Sequence, residues 1–110
     1  MGDRYVNLRG FSDTLDYLII AFCRDFKTRA EAIKNKSSNR RTLMEYEYIN
    51  RRLVAAAQEI VGDEYGIYIE EIGEKIGYAY SKIEDISESA YKEKKKEVKL
   101  NIARKLHLLD

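Results

Sequence analysis

The chain has 110 residues, which is enough for one domain of ordinary size and excludes a large multi-domain enzyme. Hydrophobic residues make up 45% and charged residues 35%, so we expect a folded core beneath a heavily solvated surface. The absence of proline and the presence of only six glycines exclude a turn-rich β-sandwich, and the net charge of +1 excludes a strong overall field for nucleic acid. The composition predicts an all-α fold, and the elements below predict one compact helical domain of about five helices.

The first predicted element is a helix over residues 12–27, because five large apolar residues recur there at helical spacing. They are Leu15, Leu18, Ile19, Phe22 and Phe26. A second, short helix begins at Thr28, and residues 35–39 form a polar loop. Residues 1–36 therefore form an N-terminal helical hairpin, and residues 40–110 form the rest of the same domain.

Cys23 is the only cysteine, and it lies in an uncharged run of seven residues. A disulfide within the chain is impossible, so we expect a buried thiol and a reducing compartment. The run is far shorter than the roughly 20 residues of a membrane span, and the polar first residues lead into no signal-peptide core. We expect a cytoplasmic protein that does not contact a membrane.

Three hydroxyl residues are each followed, three positions later, by a glutamate, which is the capping-box pattern of a helix start. The pairs are Thr28 with Glu31, Thr42 with Glu45, and Ser81 with Glu84. The pattern predicts a long third helix that ends at Gly62 and a fourth helix that stops at Gly77. A long C-terminal helix follows from Ser81 to residue 106, with a bend at residues 87–89.

Residues 70–86 have the pattern of a helix-turn-helix, which is a helix, a glycine-containing turn and a second helix. Gly73 stands where two steeply crossing backbones would approach each other, and Gly77 would supply a positive φ in the turn. The apolar residues of the motif would lock its two helices together. The structural residues of the motif are Ile72, Gly73, Ile76, Gly77, Ile83 and Ile86.

At this motif the chain resembles the ArpU and RinA type of phage late-gene regulators, whose C-terminal part is similar to the DNA-binding region of sigma factors. The resemblance covers residues 40–110 and rests on three segments. Residues 44–50 open a helix, residues 69–83 hold the motif, and residues 101–106 end the long helix. The resemblance implies a DNA-binding transcriptional regulator of a phage or prophage, with double-stranded DNA as its partner.

If the partner is DNA, base reading falls to side chains at the start of the second helix of the motif. These are Tyr80, Ser81, Lys82 and Asp85. Phosphate contacts fall to basic residues on either side of the motif. These are Arg51, Arg52, Lys92, Lys95, Lys96 and Lys99. Since a small reading surface gains specificity by doubling its half-sites, we expect a homo-oligomer.

The motif itself is acidic, which favours a second function. Residues 53–79 hold six acids and one base, and residues 80–91 hold three acids and one base. Glu84, Asp85 and Glu88 would repel phosphates at the position of a recognition helix. The alternative is a non-enzymatic helical protein-interaction module, such as a phage or mobile-element accessory protein that binds a host protein through an acidic, tyrosine-rich face. DNA binding is favoured if the basic residues share one face with the motif, and protein binding if they are scattered.

The sequence shows no pattern typical of a catalytic, cofactor or metal site. His107 is the only histidine, and the sequence marks no nucleophile or orienting acid for it. No phosphate-binding glycine loop, zinc-ligand spacing or nucleophile elbow occurs. We therefore expect no enzyme activity, no cofactor and no metal.

Overall fold

The computed structural model describes residues 12–109, and every regular element within that range is helical. The helices are α1 (Asp13–Arg24), α2 (Phe26–Asn35), α3 (Arg40–Val61), α4 (Tyr65–Glu74) and α5 (Glu88–Lys105). They form three helical stretches, because only Asp25 separates α1 from α2 and a 3-10 turn, Gly62–Glu64, joins α3 to α4. The all-α expectation is confirmed. The sequence predicts about five separate helices, whereas the structure has three continuous helical stretches. Residues 1–11 of the predicted hairpin and residue 110 lie outside the described residues.

Side-chain caps mark three helix starts. Each cap accepts a hydrogen bond from the backbone N–H three residues later, which satisfies one of the unpaired donors of a first turn. The caps are Ser12, Asn39 and Ser87, with donor–acceptor distances of 3.2, 2.9 and 3.2 Å. The predicted start of the first helix at residue 12 and the polar loop before α3 are confirmed.

The three predicted capping boxes are wrong. Thr28 lies inside α2, and Thr42 lies in the first turn of α3, where its N–H donates to Asn39. Asn39 takes the cap because its extended backbone, with ψ 163°, places its side chain over that turn. Ser81 lies in the connection between α4 and α5, where no α-helix forms.

One helix start and one helix end also differ from expectation. The C-terminal helix begins at Glu88, so the predicted bend at residues 87–89 is its start. Helix α4 ends at Glu74 and is capped by Lys75, whose φ of 58° is left-handed, while Gly77 has a φ of −88° and does not make the turn that the sequence predicts for it. The end of α3 at Gly62 is confirmed, with a φ of 63° that favours glycine.

The main core joins four helices. Ile19 of α1, Leu53 of α3, Ile69 of α4 and both Val98 and Ile102 of α5 are each at most 1% exposed. Burial of one such side chain stabilises the fold by about 1.5–3 kcal/mol. Helix α3 lies at the centre, since it contacts α2, α4 and α5.

A second cluster closes one end of the bundle. Tyr68 of α4 packs on Tyr91 of α5 with ring centroids 5.9 Å apart, and Ile83 of the connection completes the cluster. The connection is therefore packed onto the helices although a single 3-10 turn, Tyr78–Tyr80, is its only regular element.

Gly73 is required where α4 passes α1. A Cβ atom at Gly73 would lie 2.7 Å from the backbone nitrogen of Arg24 and 2.8 Å from the carbonyl carbon of Cys23. The sequence predicts a close approach at Gly73, but its partner is the end of α1 and not a second helix of a motif. Cys23 is buried at this crossing, as expected.

Replacing Gly73 by alanine should destabilise the protein by about 1–3 kcal/mol, because two backbones would have to separate. The matched control is Gly66→Ala in the same helix. No other atom lies within 4 Å of a Cβ at Gly66, so alanine there should be neutral or stabilise by about 0.5–1 kcal/mol. Urea unfolding of the two variants measures the difference. Equal stabilities would show that the α1–α4 crossing is not this tight.

Candidate functional site

The connection between α4 and α5, residues 75–87, is held by a buried carboxylate. Glu71 is 3% exposed and accepts hydrogen bonds from the Ser81 hydroxyl (2.6 Å), the Lys82 backbone N–H (2.7 Å) and the Tyr91 hydroxyl (2.7 Å). Burial by itself would raise the pKa of the Glu71 carboxyl, but these donors bring the pKa below its ordinary value. Glu71 therefore acts as an ionised anchor for the whole connection.

The predicted base-reading residues lie in this connection and not on an α-helix, although Tyr80 ends the 3-10 turn Tyr78–Tyr80. They are Tyr80, Ser81, Lys82 and Asp85. Ser81 donates its hydroxyl proton to Glu71 and accepts from the Ile83 backbone N–H at 2.9 Å, so its hydroxyl is engaged. Asp85 has a φ of 59°, which a regular helix excludes. The prediction of a second motif helix, and with it the helix-turn-helix over residues 70–86, is wrong.

The predicted structural residues of the motif are divided between two clusters. Ile72 belongs to the main core, whereas Ile83 belongs to the second cluster and Ile86 packs against it. Ile76 is half-buried, and its carbonyl oxygen accepts hydrogen bonds from Tyr91 and Lys95. This apolar set therefore fixes the connection to α4 and α5 and does not lock two crossing helices.

Half of the predicted phosphate-binding residues form ion pairs inside the protein. The pairs are Lys92 with Glu88 at 3.0 Å, Lys99 with Asp16 at 3.0 Å, and Arg51 with Glu47 at 3.5 Å. Their partners belong to α5, α1 and α3, respectively. Lys92 and Lys99 stand two helical turns apart on α5, whereas Arg51 lies on α3.

The other predicted phosphate-binding residues are also engaged. Lys95 donates to the Ile76 carbonyl at 2.7 Å, and burial together with Lys99 lowers its pKa. The guanidinium of Arg52 lies 4.7 Å from the ring centroid of Tyr48, which is cation–π geometry. Lys96 is half-buried on α5. The predicted phosphate-binding residues are thus engaged within the protein and are divided between α3 and α5.

An apolar groove of about 560 Å³ lies where the end of α5 meets α1 and α3. Its lining comprises Phe22, Arg41, Met44, Glu45, Tyr48, Ile49, Leu106 and Leu108. Met44 is 61% exposed, Tyr48 45% and Leu108 37%, although all three are large apolar side chains. The groove is thus an open, mostly apolar surface with one arginine and one glutamate on its walls.

A buried polar network holds the walls of the apolar groove in place. Arg29 is 6% exposed and donates to Oδ1 of Asn50 at 2.7 Å and to the carbonyl oxygen of Phe22. Asn50 donates in turn to the carbonyl oxygen of Phe26 at 3.1 Å. Since Phe22 lines the groove and Asn50 follows Ile49 on α3, the network fixes the α1–α2 junction against α3 and leaves the groove preformed.

The sequence interpretation missed this groove. Met44 and Tyr48 stand one helical turn apart on α3, beside the predicted core face of that helix. This second apolar pair at i, i+4 spacing was the available signal. Leu108 lies beyond the end of α5, and no periodic pattern connects it to α3.

Two further buried side chains, Cys23 and Tyr91, have raised pKa values. Burial raises the pKa of the Cys23 thiol to about 12, which keeps it protonated at neutral pH. Burial and the hydrogen bond to Glu71 raise the pKa of Tyr91 to about 12. Within residues 12–109 no three histidine, cysteine or acidic side chains gather as metal ligands would.

Comparisons of the chain with protein-family models, with curated proteins and with solved structures found no match. None of the helices in the described part of the chain has the length and apolar character needed to cross a bilayer. The assignment of the candidate site therefore depends on the geometry of the chain itself.

Replacing Glu71 by glutamine should destabilise the protein by about 1–3 kcal/mol at neutral pH, because one of its three donors would face an amide NH2 group. The folded-state pKa of Glu71 is lowered, so its stabilising effect is present above the unfolded pKa of about 4.3 and is lost as pH falls through the folded value. The difference between wild type and Glu71→Gln should therefore shrink in acid. Urea unfolding at neutral and acidic pH measures it.

The control for that experiment is Glu74→Gln, an exposed position in the same helix. It should change stability by less than about 0.5 kcal/mol at either pH. A pH-independent difference for Glu71→Gln would contradict the role of Glu71 as an ionised anchor.

Proposed function

We propose that this chain is a non-enzymatic protein-interaction module, and that the apolar groove binds an amphipathic helical segment of a partner protein. The observation that carries the proposal is the exposure of Met44, Tyr48 and Leu108 around one preformed groove. Contiguous exposed apolar surface is costly in water, and it marks interaction sites in soluble proteins. A helix in a groove is a common way to cover such a surface.

The chemistry of the lining supports a protein partner. Met, Tyr and Arg are enriched at protein interfaces, and the groove offers Met44, Tyr48 and Arg41 side by side on α3. Its volume lies within the range of about 300–1,000 Å³ that holds large ligand groups. Tyr48 is also held by the stacked guanidinium of Arg52, so less side-chain entropy is lost when a partner binds.

The phage-type DNA-binding regulator stays a prediction, as do its oligomeric state and its cytoplasmic location. Surface lysines and arginines support it. The absence of a recognition helix at Tyr80, Ser81, Lys82 and Asp85 weighs against it, because no helix at these positions can enter a major groove. The acidic, tyrosine-rich face is the other predicted protein-binding surface, and it consists of the exposed residues Tyr80, Glu84, Asp85 and Glu88.

A peptide-library selection tests the proposed function. The full chain is immobilised and offered displayed helical peptides that carry apolar residues at i, i+3, i+4 and i+7 and random residues elsewhere. Selected peptides should bind the wild type and lose about 10-fold or more in affinity for the Met44→Gln/Tyr48→Gln variant, since both substitutions remove apolar contact area. Both positions are exposed, so the variant should fold normally.

Two control variants complete the selection. Tyr17→Gln removes a tyrosine that is 67% exposed on α1 and does not line the groove, and it should leave binding unchanged. Tyr80→Gln tests the acidic, tyrosine-rich face. If no peptide is enriched, or if Tyr80→Gln abolishes binding while Met44→Gln/Tyr48→Gln does not, the groove is not the binding surface.

A further inference from the structure

The apolar groove lies in a basic part of the surface. Residues 36–52 hold five bases and two acids, which is an excess of three positive charges. Arg41 lines the groove, and Arg52 stacks on Tyr48 in its wall. Next to the groove, a depression of about 490 Å³ between α2 and α3 shares Met44 with it and is lined by Lys36 and Arg40. The exposed side of α3 therefore carries apolar and basic groups together with two acids, Glu45 in the wall of the groove and Glu47 in that of the depression.

Two of the basic residues, Arg40 and Arg41, are not neutralised by an ion pair inside the described protein. Arg40 and Arg41 form no ion pair with any carboxylate of residues 12–109, and of the two acids in this segment Glu47 pairs with Arg51. Arg40 and Arg41 also occupy the first turn of α3, where the helix dipole is positive and where no acidic residue stands. Their charges add to that of the helix end, so this end of the groove strongly favours negative charge.

The opposite wall does not cancel this preference. The C-terminal end of α5 carries the negative pole of its helix dipole close to Leu106. Arg104 occupies its last turn and offsets that pole, whereas the charge of Lys105 is paired with Glu59 at 2.6 Å. The groove therefore presents an apolar floor with positive charge at its rim.

We propose that the helix bound by the apolar groove is acidic, with Asp or Glu residues flanking its apolar face so that they meet Arg40, Arg41 and Arg52. This inference rests on the proposed function and specifies the class of partner. A nucleic-acid duplex would satisfy the arginines, but it offers no apolar ridge to cover Met44 and Tyr48. An acidic amphipathic helix satisfies both the charge and the apolar surface.

Two synthetic peptides test the charge of the partner. Both are helical over about 18 residues and share one apolar face, and they differ only in carrying Glu or Lys on the flanks. By fluorescence anisotropy at low salt, the Glu peptide should bind the full chain about 10-fold more tightly than the Lys peptide. The ratio should fall as salt is added, because exposed charges are screened.

Matched double variants locate the charge effect. Arg40→Gln/Arg41→Gln should reduce the Glu-to-Lys affinity ratio to about 3-fold or less, while Lys82→Gln/Lys92→Gln removes the same charge elsewhere and should leave the ratio unchanged. A third peptide with Gln flanks reports binding to the apolar floor alone. Neither double variant should bind the Gln-flanked peptide with an affinity that differs from that of the wild type by more than about 2-fold.

The outcomes separate this inference from the proposed function. Equal affinities for Glu and Lys peptides, with Gln-peptide binding that depends on Met44 and Tyr48, overturn the acidic partner and leave the interaction module in place. No binding by any peptide overturns both. Low-salt binding of a DNA duplex that is lost in Arg40→Gln/Arg41→Gln makes nucleic acid the occupant. Dimerisation in sedimentation that is lost in Met44→Gln/Tyr48→Gln makes a second copy the occupant.

Discussion

The buried carboxylate of Glu71 decides how the second half of the chain is arranged. A charge with almost no access to water is tolerated only when donors surround it, and Ser81, Lys82 and Tyr91 provide those donors. Two of them come from the irregular connection and one from α5. The connection is therefore tied to α4 before α5 begins, and α5 starts at Glu88 because residues 81–83 are already engaged.

The difference between Ser81 and Ser87 shows what the sequence could predict and what it could not. Both have the sequence of a helix cap, and apolar periodicity correctly predicts helices on either side of them. The choice between them depends on Glu71, which lies ten residues before Ser81 and accepts a hydrogen bond from its hydroxyl. Local patterns carry no information about such a contact, so they predict the existence and type of the helices well and their starts poorly.

The same reasoning applies to the candidate site. Gly73 was correctly interpreted as a point of close approach, but its partner at Arg24 could not be predicted because it depends on how α4 crosses α1. The apolar groove likewise combines Phe22, Met44 and Leu108, which are separated by most of the chain. The i, i+4 spacing of Met44 and Tyr48 can be read from the sequence. The wall formed by Leu106 and Leu108 exists only because the end of α5 packs beside α3.

The rim of the groove also bears on which partner can cover it. In a symmetric dimer formed through the groove, both copies would bring the same basic rim to one interface. Like charges brought together at an interface cost free energy, whereas opposite charges lower it and speed encounter. Arginines around exposed apolar surface therefore have two effects. We expect them to disfavour the pairing of two copies through the groove and, in the proposed complex, to favour a partner that brings both apolar and negative groups.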